Sequence, residues 1–196
     1  KLDLVYREST SSVRYVRTCT ISGAAINLGD PSVGITENLD GIAVARSGAG
    51  EGRIYLIGRN GTDLWICAAD QSGDAANVTA WPKELPDAKL YPAAVSIVPY
   101  QDSDKVLVVY TRNPGGSNSD GVYSRVITAG GGAGTEVEVG PSGGFNSVPD
   151  ISSPIRISDT DFRIIIIPPG DTVQEWQWDG VSSWGTSPLA TVDTET

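Results

Sequence analysis

The sequence predicts an all-β protein, and three observations carry that prediction. Its 196 residues include 23 glycines and 12 prolines, set between short apolar runs in the manner of strands and tight turns. No stretch shows an apolar stripe at helical spacing; the nearest, Ala68 to Ala80, contains Gly73 and β-branched residues. Apolar strands also recur, centred on Tyr6, Tyr55, Val108 and Ile165 and standing 49, 53 and 57 residues apart. Four short antiparallel strands in a unit of about fifty residues make one blade of a β-propeller. The expected architecture is therefore a β-propeller of about four blades, each a four-stranded antiparallel sheet, with the first blade lacking one strand.

Each repeat reads in the same order. The four central strands are followed, after turns rich in Gly, Ser, Asp or Asn, by Val13–Arg17, Leu64–Ala68, Tyr123–Ile127 and Val173–Trp178. In the last three repeats a further strand precedes the pair, at Ile42–Ala45, Ala94–Val98 and Ile151–Ile157. More polar segments, such as Thr135–Val139 and Leu189–Asp193, supply outer strands. The physical reason for a ring is burial: a sheet apolar on both faces must stack against neighbours on either side. The chain reads as a single domain with repeats at approximately 1–30, 31–86, 87–141 and 142–196. A two-sheet sandwich is the rival architecture. The first repeat opens at its second strand, so either Pro188–Asp193 supplies the missing one or an upstream piece has been lost. Four blades close alone; fewer complete ones need partner chains, which leaves a homo-oligomer open.

A formal charge of −10 argues against nucleic acid, whose phosphates demand clustered Lys and Arg. The longest apolar run, Ile164 to Ile167, is too short to span a bilayer. The chain starts at Lys1 and contains no Met, which suggests a processed product and, with it, a removed signal peptide and secretion. Asn60-Gly61-Thr62 and Asn77-Val78-Thr79 are glycosylation sequons that agree with secretion. Cys19 and Cys67, in strands of different repeats, read either as a disulfide or as two buried thiols. There is no His, which removes the commonest general base and most zinc sites. No cofactor or metal is expected. Asp159 and Asp161 near Asp171 lack the spacing of a calcium loop and read as turn formers. The run from Ala129 to Gly134 precedes no helix and reads as a flexible turn rather than a phosphate loop.

The candidate site lies in the last fifty residues. Phe162-Arg163-Ile164-Ile165-Ile166-Ile167 leads through a Pro-Pro-Gly-Asp turn into Val173-Gln174-Glu175-Trp176-Gln177-Trp178-Asp179-Gly180, with Trp184 beyond. Guanidinium only donates hydrogen bonds and an ionised carboxylate only accepts them. Arg163 and Glu175 together therefore suit two neighbouring sugar hydroxyls, and Trp176, Trp178 and Trp184 offer aromatic faces to a pyranose. The plain alternative is a cross-strand ion pair with tryptophans filling the gap between blades.

These residues resemble a repeat of the fungal and bacterial fucose-binding lectins, most clearly over residues 162 to 190. In that family, blades of a propeller each carry an Arg on one strand and a Glu on the next, and tryptophans from the adjoining repeat complete a sugar pocket between blades. The resemblance implies that Arg163 and Glu175 hold fucose hydroxyls, and that Trp178 and Trp184 serve that pocket or its neighbour. Arg53 matches the Arg strand of an earlier repeat, and Trp81 stands in for a stacking aromatic, though Leu64-Trp65-Ile66-Cys67 has no carboxylate. The third repeat offers Lys105 where Arg is expected and Ser124 near the Glu position, and the first offers Leu4 and Tyr15. The family's rings carry six blades, and this chain supplies about four. The expected function is a non-catalytic lectin for fucosylated or similar glycans, with no nucleic-acid partner and no membrane insertion. A protein-binding propeller scaffold and a propeller glycoside hydrolase, which needs two facing carboxylates, are the alternatives.

Overall fold

The computed structural model describes residues 2–7, 14–28, 40–46, 54–61, 63–69, 83–89, 94–100, 104–112, 121–128, 132–140, 145, 149–168, 172–180 and 183–193. Every regular element among them is a strand, and each pairs antiparallel with its neighbours. The first sheet orders β1 (Leu2–Arg7), β2 (Arg14–Ser22) and β3 (Ala25–Leu28). The second holds β4 (Asp40–Arg46), β5 (Ile54–Asn60), β6 (Asp63–Ala69) and β7 (Lys83–Lys89). The third runs β11 (Val137–Val139), β10 (Gly121–Ile127), β9 (Val106–Arg112) and β8 (Val95–Pro99). The fourth contains β12 (Asp150–Ile151), β13 (Ile155–Ser158), β14 (Asp161–Ile167), β15 (Thr172–Trp178) and β16 (Ala190–Asp193). The sheets follow one another along the chain, and the first has three strands, as the opening repeat suggests.

The fourth sheet counts five strands because one is broken. Both β12 and β13 pair with β14, at opposite ends of it. Between them lies Pro154, which has no N–H to give to a ladder. Ser152 maintains the pairing there: its N–H donates to the Ile165 carbonyl at 2.9 Å, and its Oγ accepts from the Ile165 N–H at 3.0 Å. Pro188–Asp193 does not complete the first sheet, one of the two options the sequence leaves. Instead β16 pairs with β15 as the outer strand of its own sheet. The Leu189 N–H donates to the Glu175 carbonyl at 2.7 Å, so the segment is zipped to the nearest unpaired edge.

Period-two alternation divides β9 between two cores. Val106, Val108 and Tyr110 pack with Tyr55, Ile57, Leu64 and Ile66 of the second sheet. Leu107 and Val109 pack with Phe162, Ile164, Ile166, Trp176 and Trp178 of the fourth. The third sheet is thus covered on both faces, and β4 and β8, the leading strands of their sheets, lie against each other. Tyr100 stacks on Phe162 with ring centroids 5.5 Å apart, and its hydroxyl donates to the Gly180 carbonyl. Near the outer edge, Arg125 donates to the Tyr110 hydroxyl at 3.0 Å, the Gly134 carbonyl at 3.4 Å and Glu136 at 3.3 Å. Burial and the neighbouring Glu136 push the Tyr110 hydroxyl well above its ordinary value, so it remains a donor. The side chains of Cys19 and Cys67 lie outside the described residues; their backbones belong to β2 and β6 of different sheets. The second sequon also lies outside them.

Ile164 is 1% exposed between the third and fourth sheets, whereas Ile157 is 62% exposed. Ile164→Ala should cost about 2–5 kcal/mol in urea unfolding. Ile157→Ala should stay within about 0.5 kcal/mol of the parent. Equal losses at the two positions would contradict this assignment of faces.

Candidate functional site

The same alternation gives the β14–β15 hairpin two chemically different faces. Phe162, Ile164, Ile166, Trp176 and Trp178 are buried toward the third sheet. Asp161, Arg163 and Ile165 of β14 and Glu175 and Gln177 of β15 are half-buried and have the opposite parity. In register, Arg163 lies opposite Gln177 and Glu175 opposite Ile165. Arg163 and Glu175 are therefore diagonal neighbours on one face, a spacing that long side chains bridge.

The guanidinium holds them together. Arg163 Nη1 donates to Glu175 Oε1 at 2.8 Å. Its Nη2 donates to Asp161 Oδ2 at 2.8 Å, and its Nε donates to Asp161 Oδ1. Asp161 thus grips Arg163 as a fork while Glu175 takes a third donor. Hydrogen bonding from Arg163 holds the Asp161 carboxyl below its usual range; partial burial opposes this, and the Arg163 charge and the Gln177 amide assist. The two acids, Asp161 first, push Arg163 further above its already high value. Sequence reading passed over Asp161 as a turn former. Its signal was present: two residues before Arg163 on one strand, it projects from the same face.

A pocket of about 250 Å³ adjoins the ion pair, lined by Ser152, Ile155, Ile157, Arg163, Ile165 and Glu175. Ile155 and Ile157 are 60% and 62% exposed. The result is an aliphatic floor beside a polar rim that offers both donors and acceptors.

The tryptophans are elsewhere. Trp178 and Trp184 are 2% and 6% exposed and belong to the core shared with the third sheet, on the opposite side of the hairpin from Arg163 and Glu175. Their rings meet at 5.5 Å with a 59° tilt. Trp184 reaches across and donates from Nε1 to Ser124 Oγ at 2.9 Å. Among the described residues, Trp178 Nε1 is buried without a hydrogen-bond partner of good geometry, although it approaches the Tyr100 hydroxyl closely enough to influence it. Arg53, Trp81, Leu4 and Tyr15 lie outside the residues whose side chains are described.

Internal comparison of the repeats explains Ser124. Trp178 bridges Trp184 as Ile127 bridges Ala133. The backbone bonds Asp179 N–H to Ser183 and Gly185 N–H to Gln177 recur as Thr128 to Gly132 and Gly134 to Val126. Counting back, Ser124 takes the place of Glu175. Val126 pairs with Leu107 as Gln177 pairs with Arg163, so Leu107 stands at the Arg position. The expectation of Lys105 there is corrected: strand register decides equivalence, and Lys105 precedes β9. The crevice between the third and fourth sheets is consequently closed by Leu107, Ser124 and Trp184.

No protein-family model matches the chain, and no curated protein sequence matches it. Among solved structures, the chain is similar to a point mutant of the Aleuria aurantia lectin in complex with Fucα1-6GlcNAc, at a TM-score of 0.56 and 14% identity. That lectin is a β-propeller. This chain is a β-propeller. The alignment covers 98% of it but 57% of the lectin, so its blades correspond to little more than half of that ring. A GH43 glycoside hydrolase engineered to display endo-xylanase and exo-arabinofuranosidase activity aligns at a TM-score of 0.45 and 14% identity, over 96% of this chain and 40% of the enzyme. That likeness is too slight to support an argument.

The Asp161–Arg163 pair makes a signed prediction. A carboxyl depressed in the folded state stabilises fully above its unfolded value, 3.8, and that contribution fades as pH falls toward the lower folded value. The effect is small at this exposure. Asp161→Asn should lower the unfolding midpoint at pH 6 and converge with the parent as pH drops below 3.8. A constant gap down to pH 2 would contradict the pairing.

Proposed function

We propose that this propeller is a non-catalytic carbohydrate-binding module whose site, on the Arg163–Glu175 face of its fourth blade, takes fucose or a related sugar. The observation that carries the proposal is the Arg163–Glu175 pair at 2.8 Å beside the isoleucine-lined pocket. Of the five guanidinium N–H donors, three are taken by Asp161 and Glu175. Among the described residues, two donors and the second Glu175 oxygen remain for neighbouring hydroxyls. Ile155 and Ile157 offer an apolar surface to the methyl group that distinguishes a 6-deoxy sugar from its parent hexose. The resemblance to fucose-binding lectins and the shared propeller fold favour the same reading. The stacking aromatic expected in such a pocket is not on this face among the described residues. An adjoining blade, from a longer ring or a second copy, would supply it.

The electrostatics support binding rather than hydrolysis. A glycosidase needs one carboxyl with a raised pKa as its acid, whereas Asp161 is lowered and both site carboxylates share one guanidinium. Each pocket would bind weakly, because a sugar's hydroxyls must be taken from water and it has few apolar atoms. Several pockets on a ring or oligomer would raise avidity on a glycan-covered surface, where a secreted lectin works.

Glu175→Gln keeps the size and removes the charge. Titration calorimetry with fucose should show affinity falling about tenfold or more, with an unchanged circular dichroism spectrum. Full affinity in the variant, or no fucose binding by the parent chain, would contradict the proposal.

A further inference from the structure

The fourth blade carries a larger concavity beside this pocket. It is a groove of about 550 Å³ whose lining includes Thr160, Gln177, Asp179, Trp184, Ser187 and Leu189. Its walls are built in. Asp179 accepts from the Ser183 N–H at 3.0 Å and from the Ser183 hydroxyl at 2.9 Å. The Gly185 N–H donates to the Gln177 carbonyl at 2.9 Å, strapping 183–189 along β15. On the other side Gly180, at φ 77°, lets the chain pass so close to Thr160 that a Cβ would sit 2.3 Å from its Cα. No L side chain is tolerated there, and the groove's two walls are held in fixed register.

Gln177 connects this groove to the ion pair. It lies opposite Arg163 in the β14–β15 ladder, and its side chain is among those that stabilise the Asp161 carboxylate. Glu175, which lines the smaller pocket, is two residues away on the same face, roughly 7 Å along the strand. That separation is on the scale of one sugar ring. The groove lining offers hydroxyls from Thr160 and Ser187, an amide from Gln177 and a carboxylate from Asp179. It has a partly apolar side in Leu189, 54% exposed. Its described lining contains no cation, and the Arg163 and Arg156 guanidiniums are paired with carboxylates.

We propose that the groove is a second saccharide subsite. It takes the neutral sugar glycosidically linked to the one at Arg163–Glu175, and it rejects a unit bearing a carboxylate or sulfate. This inference rests on the lectin reading of the Arg163–Glu175 site. Hydroxyl and amide groups match a neutral polyol in both donors and acceptors. An anionic unit would meet the Asp179 carboxylate, and the described lining offers that unit no cation.

The test is titration calorimetry with fucose and with a panel of disaccharides in which fucose is α-linked to a neutral sugar, Fucα1-6GlcNAc included. At least one disaccharide should bind about tenfold more tightly than fucose, and replacing its second sugar with glucuronic acid should remove that gain. Ser187→Tyr, which fills the groove, and Leu189→Ala, which strips its apolar side, should leave fucose affinity unchanged. Each should bring the disaccharide to within about twofold of fucose. If no disaccharide gains affinity, or both variants keep the full gain, the groove is not a subsite and the Arg163–Glu175 site stands. If the parent chain does not bind fucose at all, both readings fall together.

Discussion

A sheet with apolar side chains on both faces has to be covered twice, and this requirement organises the molecule. The third blade meets it fully. Its Val106, Val108 and Tyr110 are covered from one side and its Leu107 and Val109 from the other. Among the described residues, the fourth blade meets it on one face. There Phe162, Ile164, Ile166 and the tryptophans are sealed, while the reverse face carries Asp161, Arg163, Glu175 and exposed isoleucines. Period-two alternation thus separates a packed apolar face from a polar one within a single hairpin.

The separation also explains why equivalent positions behave so differently in neighbouring repeats. Between the third and fourth blades the Arg and Glu places hold Leu107 and Ser124, and Trp184 closes the space with an indole hydrogen bond to Ser124 at 2.9 Å. A buried guanidinium and carboxylate would need mutual pairing and further hydrogen bonds there to offset desolvation. On the other face of the fourth blade Arg163 and Glu175 are only half-buried among the described residues, so charge is tolerated. Asp161 supplies the extra pairing that keeps the long Arg163 side chain in one geometry. One blade plan therefore yields a closed joint in one crevice and a polar pocket on the next face.

Much of this was legible in the sequence. β15 is the strand anticipated at Val173–Trp178 with one residue added at its start, and that anticipated at Ile151–Ile157 overlaps both halves of the broken strand before β14. The Arg163–Glu175 pairing was readable from hairpin spacing. The placement of Trp178 was readable too, by parity: three residues from Glu175 on one strand, it must project from the other face. Residue types that suit a sugar pocket also fill gaps between blades, and type alone could not separate the two roles. Contacts at long separation were beyond sequence reading. The bond from Trp184 to Ser124 and the register that puts Leu107, rather than Lys105, at the Arg position depend on how two sheets stack.

In the proposed lectin, ligand chemistry belongs to the Arg163–Glu175 face of the fourth blade while its tryptophans belong to the core. A crystal structure of the chain soaked with fucose tests it most directly. Sugar density is expected within hydrogen-bonding reach of the Arg163 guanidinium and the Glu175 carboxylate, its methyl group against Ile155 and Ile157, with Trp178 and Trp184 unmoved. Density stacked on Trp178 or Trp184 between the third and fourth blades, with the ion pair bare, would contradict it.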